Sequence, residues 1–142
     1  MKQLLTDCRQ TIRTGLTYIR PTDVYITEDV RLIRRAGSYP AIGMKDGGIN
    51  FGQEASDQGD LIYGATVAVY VQLTRQEAAI MGAVDQKGVL EVAADVVSLL
   101  KAATFGRFDA VRVISQSESE ILVADGQAIV MMLVRFEFDI YE

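Results

Sequence analysis

A chain of 142 residues, 49% of them apolar, can bury one sizeable core without disulfides or metal clips. It contains no histidine and a single cysteine, Cys8, which excludes Ser-His and Cys-His pairs, mixed Cys/His zinc sites and any internal disulfide. The net charge of −5 argues against a clamp on a nucleic-acid backbone, where affinity comes from clustered Lys and Arg, although an acidic wall could surround DNA without gripping it.

The first element predicted is a helix from about Gln3 to Tyr18. Leu4, Leu5, Cys8, Ile12, Leu16 and Ile19 recur at three- and four-residue spacing, with Lys2, Arg9 and Arg13 on the other side. Cys8 falls on the apolar stripe and reads as a small core residue, with no cation beside it to activate a thiol. Arg20-Pro21 closes the segment, because the residue before proline avoids the α region. Val24–Thr27 reads as a short strand. Beyond it, Thr27 to Gly37 has the charge order and glycine stop of a short helix, while Val30–Ile33 equally suits a continuing strand. Tyr39–Met44 is an edge-compatible strand with Pro40 near its start.

Gly43–Asp60 carries five glycines and four acids in eighteen residues and reads as an exposed, Gly-rich arm between strands. Ala65–Thr74 is the clearest strand: Val67, Val69, Val71 and Leu73 alternate with Thr66, Ala68, Tyr70 and Gln72. Thr74-Arg-Gln-Glu77 has capping-box spacing, so a short helix is expected to start there. Val89–Ala103 is the second strong helix, with Val89, Val92, Ala93, Val96, Leu99, Leu100 and Ala103 on one stripe. Val111–Ser115 and Ile121–Ala124 follow as strands, the latter running into Asp125-Gly126, a pair suited to a tight hairpin turn. The last strand sends Val134, Phe136, Phe138 and Ile140 inward and Arg135, Glu137, Asp139 and Tyr141 outward; Met131 and Met132 read as core filler. The sum is one α+β domain spanning 1–142: two amphipathic helices packed on one mainly antiparallel sheet, with a long Gly-rich loop or arm between strands.

The sharper chemical readings fail on spacing. No Gly-Lys-Ser/Thr occurs, so the Gly43–Asp60 stretch is not a Walker-type phosphate loop, and Gly47–Gly52 is not followed by a helix as a dinucleotide fingerprint requires. Glu54, Asp57 and Asp60 lack the ligand spacing of an EF-hand. Glu28 with Asp29, and Glu118 with Glu120, are acid pairs with nothing to set them across a cleft. The longest apolar run, Ala128–Val134, is seven residues against the roughly 20 of a membrane helix, and Arg9 and Arg13 stand where a signal peptide has its apolar core. An intracellular soluble protein, or one assembled inside a cell, is therefore expected. The charge is uneven, with a basic start (Lys2, Arg9, Arg13, Arg20) and an acidic end from Asp109 onward, an arrangement that suits head-to-tail association of copies.

The N-terminal helix, "YPAIGMKDGG" leading into the long loop, "ATVAVYVQL", the "VLEVAADVVSLLKAA" helix and the closing "AIVMMLVRFEFDIYE" strand resemble, over nearly the whole chain, the tail terminator (tail completion) proteins of long-tailed bacteriophages. The resemblance implies a virion protein of the neck without catalytic, metal or cofactor residues. Such proteins form a ring, typically of six copies, that caps the tail tube protein, ends its polymerisation, docks to the head–tail connector or stopper and lets the genome pass through its lumen. The interface residues expected under it are Arg13, Arg31, Arg34 and Arg35, pairing with carboxylates of a neighbouring copy, and Lys45, Asp46, Phe51, Glu54, Asp57 and Asp60 along the arm. Another neck component or a tube subunit is the nearest alternative. A small α+β ligand-binding domain or enzyme, using Lys45, Tyr63 or an acid pair in a closed pocket, is the alternative of a different class.

Overall fold

The structure, a computed structural model of the chain, describes residues 1–33, 38–51, 61–106, 108–124 and 126–140. Helix α1 (Lys2–Gly15) is followed by a 3-10 turn (Pro21–Asp23), then strands β1 (Val24–Ile26), β2 (Ala41–Phe51) and β3 (Leu61–Gln72). Helices α2 (Gln76–Met81) and α3 (Val89–Ala102) come next, then β4 (Ala110–Gln116), β5 (Glu120–Ala124) and β6 (Gln127–Ile140). The strands form one sheet in the order β1-β2-β3-β6-β4, with β5 also paired to β6. Every pairing is antiparallel except that of β1 with β2. The expected α+β architecture is present: α1 and α3 lie together on one face, α1 over β1 and β2 and α3 over β3, β6 and β4.

The central pair β3–β6 runs in unbroken register from Leu61↔Ile140 to Gln72↔Ile129. Val67, Val69, Val71, Val130, Met132, Val134, Phe136 and Phe138 face the helices and meet Leu4, Leu5, Cys8, Ile12, Val92, Val96 and Leu100 in one core. Burying each large aliphatic side chain contributes about 1.5–3 kcal/mol. Cys8 is fully buried there, and burial, helped by Asp7, pushes its thiol pKa up to about 12, as expected of a packing residue. Helix α1 stops three residues earlier than its apolar stripe suggests. Gly15 faces Leu99 of α3, where an added Cβ would come within 2.5 Å of the leucine side chain, and glycine ends the helix while letting the two helices close up.

The opposite face of the sheet is not simply wet. Ala68 and Tyr70 of β3, Ile129 and Met131 of β6 and Ala41 form a second, smaller core. The chain after β1 crosses over it as a strap: Val30, Ile33 and Tyr39 pack there, and the Tyr70 hydroxyl donates to the Val30 carbonyl. Residues 27–33 are therefore turns and bends, not the start of the helix or the continuing strand that their pattern allowed; residues 34–37 of that stretch lie outside the described residues. Asp29 organises the turn by accepting the Arg31 N–H at 2.9 Å. Gly43 makes room for the stacked Tyr25 and Tyr70 rings, 6.4 Å apart and 3° from parallel; a Cβ at Gly43 would sit 2.9 Å from the Tyr70 oxygen. Beyond the strap the face turns polar, with Lys45, Thr66 and Arg135 in one row across the strands.

Three further expectations change. The glycine-rich arm begins later than its composition suggests: Gly43 to Phe51 belong to β2, and only 52–60 fall outside the described residues. Glycine is tolerated because β2 bulges between Asp46 and Ile49, where Gly48 has φ +84° and Gly47 lies against Gly64 of β3. Thr74 does not cap α2. Arg75 is the N-cap residue, without a side-chain cap, and Thr74 Oγ1 instead lies 3.0 Å from Gln86 Oε1. Asp139 points away from the helices as predicted yet is only 5% exposed, held 3.0 Å from Arg112 Nη2 on the neighbouring strand. Strands β4 and β5 flank β6 one after the other, separated by a step at Ser117. There the Ser117 N–H donates to the Leu133 carbonyl at 2.8 Å and the Ser117 hydroxyl accepts the Leu133 N–H at 2.9 Å.

Asp23 ties the entry of β1 to the entry of β2. It accepts from Arg20 Nε at 2.8 Å, from the Ser38 hydroxyl at 2.7 Å and from the Ser38 N–H at 3.3 Å. Burial alone would raise its pKa; these bonds outweigh burial and hold the carboxyl below its ordinary value. The stability it contributes is thus complete above the unfolded pKa of about 3.9 and is lost as pH falls through the lower folded value. Asp23→Asn is expected to cost about 1–3 kcal/mol at neutral pH, with the gap to the parent chain closing below about pH 3.9 in denaturant titrations. Gly64→Ala, whose methyl would meet the Gly47 carbonyl oxygen at 3.0 Å, is expected to lower stability by about 1–3 kcal/mol in thermal melts.

Candidate functional site

An antiparallel sheet of this kind ends in two strands with unpaired backbone on their outer sides, and natural proteins normally blunt or cover such edges. Among the described residues neither edge is paired. The first is made of β1 and the far half of β2. β1 covers β2 only at Ile42–Met44, so Lys45 to Phe51 pair with β3 alone. The second is made of β4 and β5, each bonded only to β6. The two edges are unlike. The first lies beside the basic face of α1, whereas the second carries Glu118 and Glu120 and exposes Ile114, Ile121 and Val123 at 46%, 58% and 76%.

The geometry of the first edge follows from its hydrogen bonds. The Thr27 N–H donates to the Met44 carbonyl at 2.8 Å, so in the parallel pairing Tyr25 and Thr27 turn their backbone groups to β2, while Val24 and Ile26 turn theirs outward. Arg13, from α1, donates to the outward Val24 carbonyl through Nε at 3.2 Å and Nη2 at 2.8 Å. Burial first, and then the like charge of Arg9 one helical turn away, lower the Arg13 pKa. Arg9 and Arg13 form one wall of a hollow of about 720 Å³, with Thr22, Tyr25, Ile26, Thr27, Leu32 and Ile33 as the rest of its lining.

The predicted interface residues scatter over the molecule. Arg13 lies at the first edge. Arg31 is carried by the strap across to the second, where its guanidinium pairs with Glu120. Lys45 and Asp46 are neighbours on β2, 3.6 Å apart and both solvent-facing, a pair of the kind that contributes little to stability. Phe51 is the last residue of β2. Arg34, Arg35, Glu54, Asp57 and Asp60 lie outside the described residues. The alternative enzyme groups do not converge. Lys45 is opposite Thr66 on the strap face of the sheet, whereas Tyr63 is buried on the helix face, edge-on to Phe108 at 5.1 Å. Among the described residues no three His, Cys, Asp or Glu side chains are grouped to hold a metal.

Sequence reasoning misses Arg9, Ile26, Glu118, Ile121 and Val123 as edge residues. Ile121 and Val123 pair opposite Val130 and Ala128 and share the helix side of the sheet, and their exposure shows that the helices do not reach β5. No local pattern signals how far a helix layer extends. The basic stripe of α1 is legible, but that it borders a strand edge depends on the long-range docking of α1 onto β1.

The sequence matches no known protein-family model and has no significant match among curated proteins.

Proposed function

We propose that the chain is a structural subunit of a long-tailed bacteriophage neck, of the tail-terminator kind. Copies close into a ring that caps the tail tube, ends its growth and docks the tail to the head connector. The observation that carries this reading is the pair of unlike open edges on one sheet. A contact that joins one edge of a subunit to the other edge of the next is heterologous, and it makes a closed ring when the rotation between copies closes. Exposed Ile114, Ile121 and Val123 supply the apolar surface that such a contact desolvates. The layout of helices and strands that resembles tail terminators supports the same reading. So does the acidic balance of the chain, since carboxylates in a lumen let DNA slide without adhering.

The tail tube protein and the head–tail connector or stopper are the partners on the two faces of such a ring, and the genome crosses it without specific binding. Ring copy number, six by resemblance, sets the rotation that each contact must supply, about 60°.

Light scattering on the purified chain, followed by negative-stain imaging, is expected to give one discrete multimer with a central opening. In particles assembled without the chain, tails are expected to be irregular in length and unjoined to heads. Tails of normal length that still join heads would overturn the proposal.

A further inference from the structure

Arg9 and Arg13 stand half-buried in one hollow, and among the described residues neither has a carboxylate within ion-pair distance. Two guanidiniums one turn apart repel each other and are partly stripped of water, a cost that an anion placed between them would relieve. Arg13 is also held in place by its two bonds to the Val24 carbonyl, so the site is organised before anything binds. The hollow is not purely polar: Ile26 and Leu32, 39% and 68% exposed, form its apolar side. Its occupant should therefore carry a carboxylate flanked by aliphatic side chains, on an extended backbone that can run along the outward groups of β1.

The far edge of the same sheet has that composition. Glu118 lies in the step between β4 and β5, exposed to solvent, and no cation of its own chain pairs with it among the described residues. Glu120, by contrast, is already engaged by Arg31. Ile114 and Ile121 lie four residues before and three after Glu118 in the chain, on β4 and β5, and both are exposed. The match is one of charge and of apolar character, between surfaces on opposite edges of one subunit.

We propose that the Arg9–Arg13 hollow is the receptor half of the contact between copies, and that it accepts Glu118 from the β4–β5 step of a second copy, with Ile114 and Ile121 of that copy lying against Ile26 and Leu32. The inference rests on the ring reading above for its geometry, and it assigns that contact a defined ionic lock. Because the lock forms where solvent is excluded, reversing one charge leaves like charges facing each other and weakens association, whereas reversing both restores attraction.

The test uses the full chain by sedimentation velocity at low and moderate salt, with circular dichroism to confirm that each variant is folded. Arg9→Glu and Glu118→Arg are each expected to raise the dissociation constant of self-association at least tenfold. Their combination is expected to recover most of that loss, because the two effects are coupled through one contact. Arg9 is chosen over Arg13 so that the bond to Val24 is left intact. A normal multimer from both single variants overturns this proposal and leaves the ring standing, as does a double variant no better than the sum of the singles. A parent chain that stays monomeric at every concentration, alone and with the tail tube protein, overturns both. A charge-coupled multimer found away from the head–tail junction of particles overturns the neck assignment alone.

Discussion

The β3–β6 pair sets the terms for everything else. Its helix side is apolar along almost its whole length, and its other side is apolar only around Ala68, Tyr70, Ile129, Met131 and Leu133, so the first face must be covered throughout and the second at that end. One side is satisfied by two helices whose stripes of Leu, Ile and Val match it. The apolar part of the other is covered by the turns and bends of residues 27–33 and by Tyr39, which are held by the Tyr70 hydroxyl, the Asp23–Ser38 bonds and the Arg31–Glu120 pair. An irregular strap can cover a sheet face because its polar backbone finds partners in buried side chains such as Tyr70. The sheet widens outward from this centre; α1 still covers β1 at one margin, whereas at the other the helices give out before β5.

Most of this is legible in the residues because the centre is periodic. The alternation of Val67, Val69 and Val71, the stripe of α3 and the Phe136–Phe138 pattern each state their own structure and burial. Legibility fails where structure depends on what lies across space. Gly43, Gly47 and Gly48 read as loop because glycine is rare inside strands. They are strand residues because two tyrosine rings, a bulge and the Gly64 backbone each need the room. Asp139 reads as a solvent-facing charge until Arg112 is seen on the adjacent strand. The strap fits neither helix nor strand because its order comes from the sheet beneath it.

The same distinction applies to the candidate interface. Arginines and carboxylates can be counted in the sequence, but which are free for a partner is a property of the fold. Arg31 and Glu120, 89 positions apart, satisfy each other, and Lys45 leans on Asp46. Among the described charges without an ion pair, Arg9 and Arg13 lie at one margin of the sheet and Glu118 at the other. Assembly proposed through those margins uses surface that folding leaves unspent, so a subunit can be complete before it meets its neighbour.

The step at Ser117 bears on what such a margin can recruit. A long straight border of free amide and carbonyl groups invites any extended chain to zip along it and to keep adding layers. Here the border is faceted. β4 bulges between Val113 and Ser115, pairing is interrupted after Gln116, and β5 resumes at Glu120. A stray strand finds only short runs to match before it must bend, whereas a rigid surface with the complementary kink can engage both facets together. The irregularity thus acts as a selectivity filter against fibrillar growth, built into the backbone itself.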